Sequence, residues 1–204
     1  MATRDAVEPA VVRMRADARR NRERILDAAR ATFSEHGSEA QMDEIARRAG
    51  VGVGTLYRHF PTKDALIGEL VRIKLTDFAA RARAKFEDDD RPWESFADLL
   101  REQAERAARD AAQQRMIFAM THEALERARP TITELTAANQ ALIDRAKAAG
   151  VIREDVVVDD VRVLMCGLGS IMAADALGVM PYDWRRHLEF VLAGMRVGCP
   201  DTGA

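Results

Sequence analysis

Residues 41 to 63, QMDEIARRAGVGVGTLYRHFPTK, constrain this chain more than any other stretch. Ile45, Ala46 and Ala49 fall at i, i+1 and i+4, the apolar stripe of a short helix from about Met42 to Ala49. Ala46 and Ala49 carry only a methyl, so a second helix can cross close above them. Gly50 follows at once, where a left-handed C-cap is wanted, and Val51 can plug the corner. A second helix is expected from about Val53 to Phe60, with Leu56 and Phe60 facing inward and Pro61 ending it. Two short helices joined by a tight glycine turn make a helix-turn-helix.

The outward residues of the second helix suit a DNA major groove. Gly54 lets the backbone approach closely. Thr55, Tyr57, Arg58 and His59 present hydroxyl, phenol, guanidinium and imidazole, and Lys63 opens the next helix with a positive charge. Phosphate oxygens need such donors for positioning, and base edges need them for readout. Val53 and Gly52 at the start of the second helix, and Gln41 at the start of the first with Arg47 on it, complete the expected contact face.

The pattern AxxAGVGxGTLYRHFPTKxAL resembles the signature of TetR-family transcriptional regulators. Gly50, Val51, Gly54, Leu56, Tyr57, His59, Phe60, Lys63 and Leu66 stand in register, and the resemblance spans roughly residues 20 to 70. Gln41 and Gly52 depart from it, standing where the family usually has a Thr and a Ser as helix caps. Glycine is an acceptable N-cap and glutamine a poorer one; Glu44 is placed to reach back as half of a capping box. The resemblance implies basic residues gripping DNA ahead of the first helix, for which Arg20 and Arg22 are the candidates. It also implies that the last two helices pair two copies of the chain, and it favours repression.

Composition agrees. Aromatics are 5% and strand-forming runs are nearly absent, so an all-α chain of about nine helices is expected. That is an N-terminal three-helix bundle carrying the helix-turn-helix, plus a C-terminal helical domain for ligand binding and dimerisation. The net charge of -2 argues against a general nucleic-acid coat. Its distribution says more: residues 13 to 63 hold eleven Arg or Lys against seven acids, and residues 64 to 204 hold nineteen against twenty-four. Cys166 and Cys199 lie in no metal or redox spacing, and Cys166 is expected in the core. A cytoplasmic protein without metal or cofactor is expected, with no membrane partner, since no apolar run approaches 18 residues. The histidines are scattered and no nucleophile–base spacing is visible, which argues against an enzyme.

Taken in order, residues 1–16 read as a loose arm, 17–62 as the DNA-binding domain and 63–204 as the regulatory domain. The first helix is expected from about Asp17 to His36, with Ile25, Leu26, Ala29 and Phe33 inside. Thr62 is a candidate N-cap for a helix from Lys63 to Lys85, which runs from the DNA end into the C-terminal body. EDDDRP, residues 87–92, is a break. Residues 113–129 are expected to form one helix, and Pro130 to begin the next. Residues 156–158 are expected to be an extended linker ahead of an Asp159 cap.

An apolar effector cavity is expected in this region. Its candidate walls are Phe78, Trp93, Phe96, Met116, Met120, Leu125, Met165 and Met172, with His122 as the polar group. The two closing helices are apolar on more than one face, so they are expected to pair with a second copy as a four-helix bundle. Leu164, Leu168 and Ile171 are the candidates on one, and Trp184, Leu188, Val191, Leu192 and Met195 on the other. The expected partners are therefore a double-stranded DNA operator, a second copy and a small-molecule effector. A DNA-binding regulator controlled by a protein partner, or acting without an effector, is the alternative.

Overall fold

The computed structural model describes residues 7–87, 91–109, 121–176, 178 and 182–198. Among these the chain forms eight α-helices and one 3-10 turn, and no strand. They are α1 (Val7–His36), the 3-10 turn (Gly37–Glu39), α2 (Met42–Ala49), α3 (Val53–His59), α4 (Lys63–Glu87), α5 (Pro92–Arg109), α6 (His122–Ala148), α7 (Val158–Ala176) and α8 (Trp184–Met195). α1 starts at Val7, so residues 7–16 are helical where a loose arm was expected. Ala, Arg, Met and Glu make up six of its ten residues and favour a helix, against three valines. Pro9 falls in the first turn, where its missing N–H removes no helical bond.

Two hydrophobic cores result. The first joins Ile25, Leu26, Ala29 and Phe33 of α1, Ile45 and Ala46 of α2, Leu56 of α3, and Leu66 and Leu70 of α4. The second is built from Phe96, Leu99 and Leu100 of α5, Leu142 and Ile143 of α6, Leu168 of α7, and Leu188 and Leu192 of α8.

Two helices belong to both cores. α4 gives Leu66, Ile67 and Leu70 to the first and Ala82 to the second. α6 gives Ala124 and Ala128 to the first and Leu142, Ile143 and Ala146 to the second. Their crossing depends on small residues. A Cβ at Gly68 would lie 3.3 Å from the Arg127 Cβ and 3.4 Å from the Ala124 carbonyl, so the two backbones approach as closely as packing permits.

α6 is one 27-residue helix that runs through Pro130, where a new helix was expected. An interior proline removes a helical bond and crowds the carbonyl four residues back, at a cost of about 3 kcal/mol. Pro130 sits on the exposed side, while Ala128 and Thr131 beside it are buried and hold the helix on course.

Threonines cap α4 and α6. Thr62 Oγ1 accepts from the Ala65 N–H at 3.0 Å, as expected, and Thr121 Oγ1 accepts from Ala124 at 3.3 Å. The linker after α6 makes an isolated antiparallel bridge at Ile152 with Arg196, turns at Glu154 and Asp155, and is already helical at Val158. Arg153 N donates to the Met195 carbonyl at 2.9 Å and Val197 N to the Val151 carbonyl at 3.2 Å, which ties the end of α8 to it. α7 begins at Val158, one residue ahead of the expected cap Asp159, and Asp160 Oδ2 accepts from Val157 N at 2.8 Å.

Candidate nucleic-acid interface

α3 is held from behind and bare in front. Leu56 and Phe60 are buried in the first core. On the opposite side Val53 and Tyr57, four residues apart, are 42% and 44% exposed, and Gly54 and Arg58 form a second exposed pair beside them. Thr55 and His59 lie half-buried at the flanks. Neither the Tyr57 hydroxyl nor the Arg58 guanidinium is bonded to another described residue. A Cβ on Gly54 would meet nothing within 4 Å. α3 is thus a seven-residue helix that presents backbone, phenol and guanidinium outward.

The turn that aims it is fixed by Gly50, whose φ of 61° is left-handed. Its N–H reaches the Arg47 carbonyl and the Val51 N–H reaches the Ala46 carbonyl, both at 3.1 Å. Arg24 of α1 donates from Nη2 to the Gly50 carbonyl, also at 3.1 Å. Sequence reasoning did not single out Arg24. A cation at a helix C-terminus is a favourable pairing, but only the packing of α1 on α2 brings the two together.

The arginines of α1 thus divide by their contacts. Arg22 was expected on DNA. Its Nη2 lies instead 2.5 Å from Glu69 Oε1 on α4, with its guanidinium 5.5 Å from the Phe60 ring centre. It braces the base of α3 against α4. Burial alone would raise the Glu69 carboxyl, and hydrogen bonds from Arg72 and Arg22 more than reverse this, holding it below the usual carboxylate range. Arg20 is exposed and paired with Asp17. Arg47 is exposed, with Nη2 4.0 Å from Glu44. Lys63 begins α4 half-buried, its Nζ 5.8 Å from the Phe33 ring centre.

Gln41 and Gly52 occupy the N-cap positions of α2 and α3 without a side-chain cap bond. Gln41 donates to the Glu39 carbonyl at 2.8 Å. Glu44 does not close the expected capping box; its carboxylate lies 3.3 Å from His36 Nε2.

The expected effector residues scatter. Phe78, Trp93, Phe96 and Met172 are buried, and Met165 is half-buried against the second core. His122 is a correction: it opens α6 on the surface with its side chain 89% exposed. Leu125, one turn on, is also exposed, because the buried stripe of α6 passes through Ala124 and Ala128 instead. Met116, Met120 and Cys199 lie outside the described residues. Two polar groups that the sequence did not flag, Ser95 and Gln103, are buried on α5, and Ser95 Oγ and Gln103 Nε2 have no hydrogen-bond partner among the described residues.

The closing helices also divide their faces. Leu164, Leu168, Trp184, Leu188, Leu192 and Met195, expected to face a second copy, turn into the chain's own core. Ile171 and Val191 are half-buried along a groove of about 680 Å³ that Val163 and Gly167 also line. The apolar surface left outside is Val163, 67% exposed, and Phe190, 62% exposed. Cys166, expected in the core, is exposed on α7. Helical period alone could not say which of two apolar faces meets the core. Among the described residues no helix is long and apolar enough to cross a membrane, and no group of three or more acids, histidines and cysteines is placed to hold a metal ion.

Comparison with known proteins agrees with this geometry. Residues 25–70 match the model described as bacterial regulatory proteins, tetR family, and residues 91–197 match that of the SbtR-like transcriptional regulator C-terminal domain. An HTH-type transcriptional regulator of Staphylococcus aureus is 44% identical over 66 residues, which is 32% of this chain and 36% of that protein. The match thus spans about a third of the length of the curated relative. A TetR transcription regulatory protein from Mycobacterium vanbaalenii is similar over nearly its whole length. It is 32% identical with a TM-score of 0.62, covering 90% of this chain and 99% of that one. The FadR regulator of Bacillus subtilis, crystallised with stearoyl-CoA, shares the fold at 20% identity with a TM-score of 0.68, over 84% of this chain and 95% of that one.

Proposed function

The chain belongs to the TetR family of bacterial regulatory proteins, and on that footing we propose that it is a ligand-responsive repressor acting as a two-fold dimer on a near-palindromic operator. It is a DNA-binding transcriptional regulator and not an enzyme. The observation that supports the DNA-reading part of this proposal is α3 itself, whose buried Leu56 backs an open face of Val53, Gly54, Tyr57 and Arg58.

One such helix reads few base pairs, and a single module binds weakly at physiological salt. Pairing two copies doubles the contacts, with half-sites about 34–36 Å apart or a multiple of that. Val163 and Phe190 support the pairing surface, since burying each would contribute roughly 1.5–3 kcal/mol. Regulation follows from the shared helices. α4 and α6 each have one end in the reading head's core and the other in the body's. A ligand that favours one arrangement of the body would shift the heads, to the extent of its differential affinity for the two states. In this reading Tyr57 and Lys63 hold phosphates and Arg58 reads a base.

The test is selection of genomic fragments on the purified protein. A two-fold-related sequence is expected. Arg58→Ala should relax preference at one position in each half-site, and Val163→Asp with Phe190→Asp should yield folded monomer that binds the site far more weakly. Enrichment of an unrepeated site, or full affinity in the monomer, would overturn the dimer. Retention of the operator against every compound tried would favour a regulator without a small-molecule effector.

A further inference from the structure

A hollow of about 560 Å³ opens between α1, α4 and α5. Its apolar wall is Leu70, Ile73 and Phe78 of α4. Among the described residues that line it stand four cations, Arg30 of α1, Lys74 of α4, and Arg106 and Arg109 of α5, against one carboxylate, Asp77. The lining is thus predominantly positive, a charge that Asp27 partly offsets at Arg30 from outside it.

Asp77 does little to offset it for Arg106. It already accepts from Arg81 Nε at 2.9 Å and Nη2 at 3.0 Å, while Arg106 Nη1 stands off at 3.9 Å. Arg30 is paired with Asp27 at 2.7 Å and Lys74 lies over the Phe78 ring, its Nζ 5.7 Å from the centre. Guanidinium groups thus stand beside an apolar floor here. A ligand with an anionic head and an apolar body answers both features: planar guanidinium forks match carboxylate and phosphate oxygens, and the floor takes the body. The volume lies within the range of small-molecule sites.

We propose that this cleft binds a small amphipathic organic anion, its carboxylate or phosphate held by Arg30 and Arg106 and its apolar body laid against Phe78, Ile73 and Leu70. Arg30 belongs to the helix that packs on the helix-turn-helix, and Arg106 belongs to the body. The ligand therefore bridges the two cores directly. That consequence rests on the regulatory reading; the binding itself does not.

The test is calorimetric titration of the full chain with decanoate, decyl phosphate, decanol and inorganic phosphate. One or both of the first two should bind, and which does so identifies the head group. Decanol should bind about tenfold more weakly or worse, and inorganic phosphate, having no body, should give no heat. Arg30→Gln with Arg106→Gln should weaken the bound anion about tenfold and leave decanol unchanged. Should that variant melt below the wild type, salt gives the same answer on the unaltered protein: added sodium chloride should weaken the anion and spare decanol. Decanol binding as tightly as the anions, a variant or salt series without effect, or no binding by either anion overturns the proposal. Anion binding that leaves operator affinity untouched upholds the cleft and counts against the effector reading.

Discussion

Gly54→Ala separates what α3 needs for folding from what it needs for DNA. Gly54 is the second residue of a seven-residue helix, and a Cβ there meets nothing within 4 Å. Alanine therefore requires no rearrangement. Within a helix it is favoured over glycine by up to about 1 kcal/mol, somewhat less in the first turn. The variant should be more stable by roughly 0.5–1 kcal/mol, a rise in Tm of about 1–4 °C for a chain of this length. The same empty space is where duplex DNA must come if α3 reads it. A methyl there would hold the backbone off and stretch the bonds around it. Losing one such bond costs about 1–3 kcal/mol, or roughly 5- to 150-fold in affinity. Stability and affinity should thus move in opposite directions. The assay pairs a thermal melt without DNA with a fluorescence-anisotropy titration of the selected operator at fixed salt. Unchanged operator affinity in a folded Gly54→Ala protein would refute close approach at α3. Gly50→Ala is the contrast. With φ at 61° and Arg24 Nη2 only 2.4 Å from the added Cβ, it should lower both stability and affinity.

Two further substitutions probe the scaffold. Ser95→Ala removes a buried hydroxyl that has no partner among the described residues and improves helix propensity, so it should stabilise the protein by on the order of 1–2 kcal/mol in chemical denaturation; a loss of stability would mean the hydroxyl is bonded after all. Glu69→Gln should destabilise at neutral pH by weakening the brace to Arg22 and Arg72. Because the folded Glu69 carboxyl titrates below its unfolded value, its contribution is complete above the ordinary carboxylate range and fades as pH falls through the lowered value. The gap between wild type and Glu69→Gln should therefore close in acid, and a gap that persists there would remove the ion pair from the explanation.

The helix-turn-helix was legible because its determinants are local. Gly50, the stripe Ile45–Ala46–Ala49 and the stop at Pro61 lie within twenty residues, and each acts on its neighbours in the chain. The same holds for the inner face of α1 and for Thr62 as a cap. His122 and Leu125 were misjudged for the opposite reason. An apolar or polar residue on a helix has a defined angle about its own axis, but what lies at that angle is decided by another helix. Pro130 misled because a local penalty of about 3 kcal/mol was outweighed by burial on either side of it.

By itself, then, the order of residues determined an all-helical chain with a reading head between positions 41 and 63, since periodicity, caps and glycine turns are properties of short segments. Only the tertiary structure decided that Arg22 braces α4 and Arg24 seals the turn, that α6 shares both cores with α4, and which faces of α7 and α8 remain open. Those outcomes turn on which helix crosses which, at separations of tens of residues, and no spacing within a helix encodes them.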